Sequence, residues 1–190
     1  MKELLHVGCG CATIENIPFI ENKTEWREYR LDINPDAKPD YLCSMMDMSC
    51  VPEERFDMLY ASHCLEHIKS HEVVPTLYEF SKKLKPGGAL LVIVPDIDQV
   101  AKFIVEKGFL ETMYLAGGEV PIRPIDVLYG WVETVKDGND WMMHKTGFTR
   151  ESLELACLAA GFSSAVANVN NSFDIAVVAV KSKTERDEDA

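Results

Sequence analysis

Two rhythms of apolar positions alternate along the chain. Short apolar runs suited to strands cover Leu4 to Val7, Tyr29 to Ile33, a brief Tyr41 to Cys43, and Phe56 to Ala61. Ala89 to Val94 (ALLVIV) is apolar at successive positions, hence on both faces, as a buried parallel strand requires. A weaker run lies around Ala165 to Val169, and Phe173 to Val180 closes the series. The other rhythm is helical. Val73, Leu77, Phe80 and Leu84 fall on one stripe that ends at Lys85-Pro86-Gly87-Gly88, where proline and glycine stop a helix. A second helix starts after Thr149, a good N-cap with Glu151 in the first turn, and ends before Gly161. Strands alternating with helices predict an α/β domain over residues 1–180 with a mostly parallel sheet. Only Asn34 to Pro39 separates the second and third strands, so that crossover is expected to be abbreviated. The segment from Asp98 to Lys145, rich in aromatics and glycines, is not needed by the alternation and reads as an inserted lid. Residues 181–190 are polar and read as a flexible tail.

Charge narrows the partners. Nineteen basic against 31 acidic residues give −12, and the last ten residues contribute only −1 of it, from three basic and four acidic side chains. Polyanion binding is driven by Lys and Arg displacing counterions, so an acidic body argues against nucleic acid. The cluster Lys82-Lys83-Lys85 reads as a solvated helix face or end. No apolar run approaches the roughly 20 residues of a membrane span, and the N-terminus lacks a long apolar stretch with a small-residue cleavage site. Six scattered cysteines, with no CxxC pair, fit reduced thiols in a cytoplasmic protein.

Gly8-Cys9-Gly10 directly follows the first strand, where glycines let the backbone approach a ligand closely. Asp32 comes 22 residues beyond Gly10, at the end of the second strand, placed to accept hydrogen bonds from both hydroxyls of a ribose. The third glycine of the dinucleotide fingerprint is missing, with Ala12 and Thr13 following Cys11. The stretch Cys11 to Ile20 carries Pro18, so any helix there is stunted. That fingerprint packs a pyrophosphate on a helix N-terminus, so a ligand without phosphate is favoured over NAD.

LLHVGCG, RLDINP, MMDMSCVPEERFDMLYASHCLEHI, LKPGGALLVIVPD and HKTGFTRESLELACLAAGF occur in that order and resemble the successive motifs of small class I methyltransferases that use S-adenosylmethionine (SAM), the type-11-like group. The resemblance spans roughly Leu4 to Gly161. It implies a Rossmann-like sandwich whose seven-stranded sheet is mostly parallel with an antiparallel last strand. It also implies SAM as cofactor, with Gly8 and Gly10 facing its methionine part, Asp32 the ribose and Ile33 an adenine face. Asp47 stands where the group has an acid near the adenine amino group, with Met48 beside it. Ser62 and His63 are implied at the end of the fourth strand, under the sulfonium. Cys11 departs from the usual third glycine.

His63, Glu66 and His67 spell the inverted zinc-peptidase pattern, with His71 four residues on. That chemistry needs one helix presenting both histidines, and here the motif follows a strand end with Pro75 close behind. Glu66-His67 is also similar to the metal-bearing pair of small-RNA 2′-O-methyltransferases, but His63 stands where that family has a further Glu. No metal is expected. His144 ends the inserted segment and is placed to hang over the cofactor site as a general base, with His63 as the other catalytic candidate. The expected reaction is methyl transfer from SAM to an O, N or C nucleophile of a small molecule, which needs mainly alignment. The rival readings are a methyltransferase-like binding or scaffold protein without turnover, then an NAD-dependent oxidoreductase.

Overall fold

The computed structural model describes residues 1–169 and 173–183; the polar tail from 184 onward lies outside them. Seven strands form one sheet in the order β3-β2-β1-β4-β5-β9-β8. They are β1 (Lys2–Val7), β2 (Trp26–Asp32), β3 (Tyr41–Leu42), β4 (Phe56–Ser62), β5 (Leu84–Pro95), β8 (Ser164–Val169) and β9 (Asp174–Val180). The pairs β1–β2, β1–β4, β2–β3 and β4–β5 are parallel. β9 runs antiparallel to both β5 and β8, so the expected reversal of the last strand is present. A separate two-stranded hairpin, β6 (Tyr114–Ala116) and β7 (Val120–Ile122), lies in the inserted segment.

Alternation along β5 divides the core between the two sheet faces. Leu90, Val92 and Val94 join the larger cluster with Leu5, Val7 and Leu59, whereas Leu91 and Ile93 join the smaller one with Leu4 and Tyr60. The larger cluster is covered by α1 (Val73–Lys83) and α5 (Arg150–Ala159), with Leu77, Phe80, Leu153 and Cys157 fully buried. Each large apolar side chain so buried stabilises the fold by about 1.5–3 kcal/mol relative to exposure. Pro75 sits in the first turn of α1, where its missing N–H breaks no helical bond. The Thr149 hydroxyl accepts from the Ser152 N–H at 3.2 Å and caps α5. Lys83, read above as a solvated position, is only 2% exposed; its ammonium lies 3.9 Å from Glu53 and 4.0 Å from Glu79.

The smaller cluster has no α-helix over it. The whole connection from β1 to β2 holds two single 3-10 turns, Ile14–Asn16 and Lys23–Glu25, and Ile17 and Ile20 reach down onto the sheet from it. The connection from β2 to β3 is likewise reduced to one 3-10 turn, Pro35–Ala37. After β5 the inserted segment forms α2 (Ile97–Lys107), the β6–β7 hairpin, α3 (Pro124–Tyr129), α4 (Val132–Lys136) and a 3-10 turn at Asp140–Met142. It enters and leaves at one point: Asp96 bridges Phe148, and the Ile97 N–H donates to the Phe148 carbonyl at 2.9 Å. The Asp96 carboxylate caps α2 by accepting from the N–H groups of Asp98 and Gln99.

Candidate functional site

Strand order reverses about β1, whose neighbours β2 and β4 lie on its opposite sides, and the loops at that crevice are where open α/β sheets bind ligands. The glycine loop occupies it. Gly8 has φ +62°, and a Cβ there would come within 2.7 Å of the Cys64 Cβ, so only glycine lets this loop pack on the loop after β4. From β2, Asp32 accepts the Gly10 N–H at 2.7 Å through one carboxylate oxygen and the Asn34 N–H at 2.8 Å through the other. Two residues earlier on the same strand face, the Arg30 guanidinium donates to the Gly10 carbonyl. An acceptor and a donor from β2 therefore hold the peptide groups on either side of Gly10. Around Gly10 itself no atom lies within 4 Å of where a Cβ would stand. Ile33, immediately after Asp32, keeps 46% of its surface exposed.

Next along the strand edge, Asp47 is exposed and accepts the Ser49 N–H at 3.1 Å; its bonds to Ser49 hold the carboxyl below its usual pKa. Met48 points the other way, wholly buried in the larger cluster, so its backbone alone faces this edge. Burial pushes the Cys9 thiol up to about 11 and Cys64 higher still, so neither flanking cysteine offers a thiolate at neutral pH.

The loop after β4 carries a second constellation. His63 has φ +50°, an uncommon backbone region for a residue with a Cβ. Its Nδ1 lies 3.5 Å from Glu66 Oε1 and its Nε2 3.8 Å from Asp174 Oδ1 at the start of β9. Burial works against a charge on this ring, but Glu66 and then Asp174 outweigh it and raise the pKa. Leu65–His67 form a 3-10 turn, and the Glu66 carbonyl accepts the Lys145 N–H at 2.8 Å, tying the returning insert to this loop. His67 Nδ1 is 3.1 Å from the Met143 carbonyl, and His144 Nδ1 is 2.7 Å from the Val127 carbonyl. The two rings meet edge to face with centroids 4.9 Å apart. Since a carbonyl only accepts, each Nδ1 carries a proton, and in the neutral ring the lone pair then sits on Nε2. Burial lowers the His144 pKa, favouring this neutral form. Glu66 is 1% exposed, and neither carboxylate oxygen has a hydrogen-bond partner. One ligand atom from each of Glu66, His67 and His144 lies within 4.8 Å of the others.

Residues 5–92, from β1 through most of β5, match the family described as "Methyltransferase domain". A SAM-dependent methyltransferase from Methanosarcina mazei superposes with a TM-score of 0.62 at 15% identity, over 96% of this chain and 93% of that one. The chain has a class I methyltransferase fold. The Burkholderia thailandensis 1,6-didemethyltoxoflavin-N1-methyltransferase, solved with 1,6-didemethyltoxoflavin and S-adenosylhomocysteine, gives 0.59 at 17% identity over 96% and 72% of the two chains. Human N-acetylserotonin methyltransferase, in complex with SAM, gives 0.61 at 16% identity over 96% of this chain and 48% of its own. The chain also spans only 62% and 49% of the length of two further solved chains of similar fold. No curated protein matches the sequence at a significant level.

On this methyltransferase fold, Gly8, Gly10, Asp32, Ile33, Asp47, Ser62 and His63 all lie along the C-terminal edge of β1, β2, β3 and β4 or in the loops that follow. Met48 is the exception, with its side chain in the core. His63, Glu66, His67 and His71 share no helical face, and His71 stands apart, 74% exposed beside Glu72. What sequence reasoning missed is that His144 closes on Glu66 and His67, since it is far along the chain and arrives only through the insert. Arg30 and Asp174 were missed too. Arg30 had a signal, the two-residue spacing that puts it on the same strand face as Asp32. Asp174 had none, because its place depends on the β5–β9 register, in which it opposes Pro95.

Proposed function

We propose that the chain binds SAM over the glycine loop and transfers its methyl group to a nucleophilic O, N or C atom of a small molecule. The observation that carries this reading is the Gly8–Gly10 loop clamped by Asp32 and Arg30 beside the exposed face of Ile33, inside the stretch that matches a methyltransferase domain. The residues fit the cofactor. Each Asp32 oxygen already accepts one backbone N–H and retains a lone pair for a ribose hydroxyl, and Ile33 offers an uncovered apolar surface to adenine. The open space above Gly10 suits the methionine part. Relatives solved with SAM and with S-adenosylhomocysteine support the assignment.

Bound SAM supplies a methyl group activated by its sulfonium. That group would pass to the nucleophilic atom with loss of S-adenosylhomocysteine, and the acceptor's proton would leave to a base or to solvent. This chain's part is alignment and exclusion of water. The insert is anchored to the Glu66 carbonyl beside the β4 loop, which supports a role for it in covering the methyl acceptor. His144, neutral and with a bare Nε2, faces that side; His63, whose pKa is raised, is the poorer base.

The NAD reading loses ground on geometry, since residues 8–25 form no α-helix to receive a pyrophosphate. Calorimetric titration separates the readings. SAM and S-adenosylhomocysteine are expected to bind at one per chain and NAD not at all. Binding of NAD without SAM would overturn the proposal.

A further inference from the structure

We propose that Glu66, His67 and His144 form a site for one divalent transition ion of the zinc class, held by two imidazole nitrogens and one carboxylate with a position left open. Three independent features point to it. The first is proximity: one ligand atom from each residue lies within 4.8 Å of the others, although the residues come from two segments separated by the whole insert. Metal–ligand bonds of 2.0–2.2 Å in a tetrahedron set ligand atoms about 3.4 Å apart, so a modest closing of side chains completes the set.

The second feature is orientation. His67 and His144 each commit Nδ1–H to a backbone carbonyl, Met143 and Val127 respectively, which locks the ring and leaves Nε2 free as a donor. Metal-binding histidines are held by such outer partners. The third is the carboxylate. Glu66 is 1% exposed with both oxygens lacking a hydrogen-bond donor, a costly state for a carboxylate unless a cation completes it. His63, 3.5 Å from Oε1, faces one oxygen only and is a counterion only while protonated. Two imidazole nitrogens and one carboxylate suit a dication, and the partly exposed rings leave the fourth position open to solvent.

A ligand in that position would be an oxygen of the methyl acceptor, a hydroxyl whose proton the ion makes easier to lose. This role rests on the methyl-transfer reading and takes the place of His144 as base, since a ring nitrogen bound to the ion accepts no proton; ion binding itself does not rest on that reading. The competing explanation is that the same contacts are a metal-free latch fastening the insert to the β4 loop.

The test uses the full chain, dialysed against chelator and titrated with Co²⁺ in the absence of SAM. One equivalent is expected to give visible ligand-field bands, which Zn²⁺ then displaces. Glu66→Gln, which keeps the shape and removes the charge, His67→Gln and His144→Gln should each weaken Co²⁺ binding by at least about 100-fold, the upper end of what even outer partners of metal ligands cost. His71→Gln and Cys11→Ser should leave it unchanged. Far-UV circular dichroism identifies any variant that fails to fold, and the partly exposed His67 keeps the test alive if the buried Glu66 variant does. Absence of Co²⁺ bands, or bands that survive all three ligand substitutions, would overturn the site and leave the latch. Failure of the cofactor reading shows instead in calorimetry with SAM and does not touch this titration.

Discussion

The Asp32 carboxylate accepts two loop N–H groups, and in the proposed reading it also takes the ribose of the cofactor. Its position at the end of a strand, well after a glycine pair, is legible from spacing. Its backbone bonds to Gly10 and Asn34 are not, because they depend on where the loop turns back. Asp32→Ala is accordingly expected to do two things. It should weaken SAM binding about 10–100-fold, corresponding to about 1.5–3 kcal/mol for hydrogen bonds to a charged group. It should also lower the melting temperature without ligand, since two N–H groups lose their acceptor. Calorimetry and a thermal scan check both, and unchanged SAM affinity would remove Asp32 from the site. Met48 shows the limit of reading neighbours together. Its place beside Asp47 suggested the ligand edge, but successive side chains diverge, and an apolar one is drawn into the core while the acid stays in solvent.

Elements with strong periodicity were legible; those made by tertiary context were not. The stripe Val73-Leu77-Phe80 gives α1, the N-cap Thr149 gives α5, and ALLVIV gives the centre of β5. Nothing in the sequence dictated the replacement of the first crossover helix by two 3-10 turns, beyond Pro18 and the short span. The insert hides more, since its fold depends on contacts such as that at Gly130. This residue has φ +97°, and a Cβ on it would meet the Met142 carbonyl oxygen at 2.0 Å, in the stretch that delivers His144. Gly130→Ala therefore forces that stretch outward. Strain of about 1–3 kcal/mol is expected. The His144 amide, bonded to the Tyr129 carbonyl at 3.2 Å, should then exchange at least about fivefold faster in hydrogen-exchange measurements, since each kilocalorie is worth about a factor of five. Unchanged exchange would mean that the insert does not position His144 through this contact.

At the scale of the whole molecule, the sheet order and the reversed β9 put every loop of the candidate site on one edge. The mostly parallel pattern was legible from alternation, and the antiparallel last strand followed from the resemblance of five ordered motifs; the β5–β9 register that seats Asp174 beside His63 followed from neither. Among the described residues no helix is long and apolar enough to cross a membrane. The two halves of the site have different origins. The cofactor side is built from the strand ends and short loops of the domain itself. The side proposed for the methyl acceptor is made by the insert, which folds back onto Glu66. The central claim is that SAM lies over the first of these, and a crystal structure of the protein grown with S-adenosylhomocysteine tests it most directly. Ligand density is expected over Gly8–Gly10, with the ribose hydroxyls on Asp32 and adenine against Ile33. Density elsewhere on the molecule, or none at saturating ligand, would contradict it.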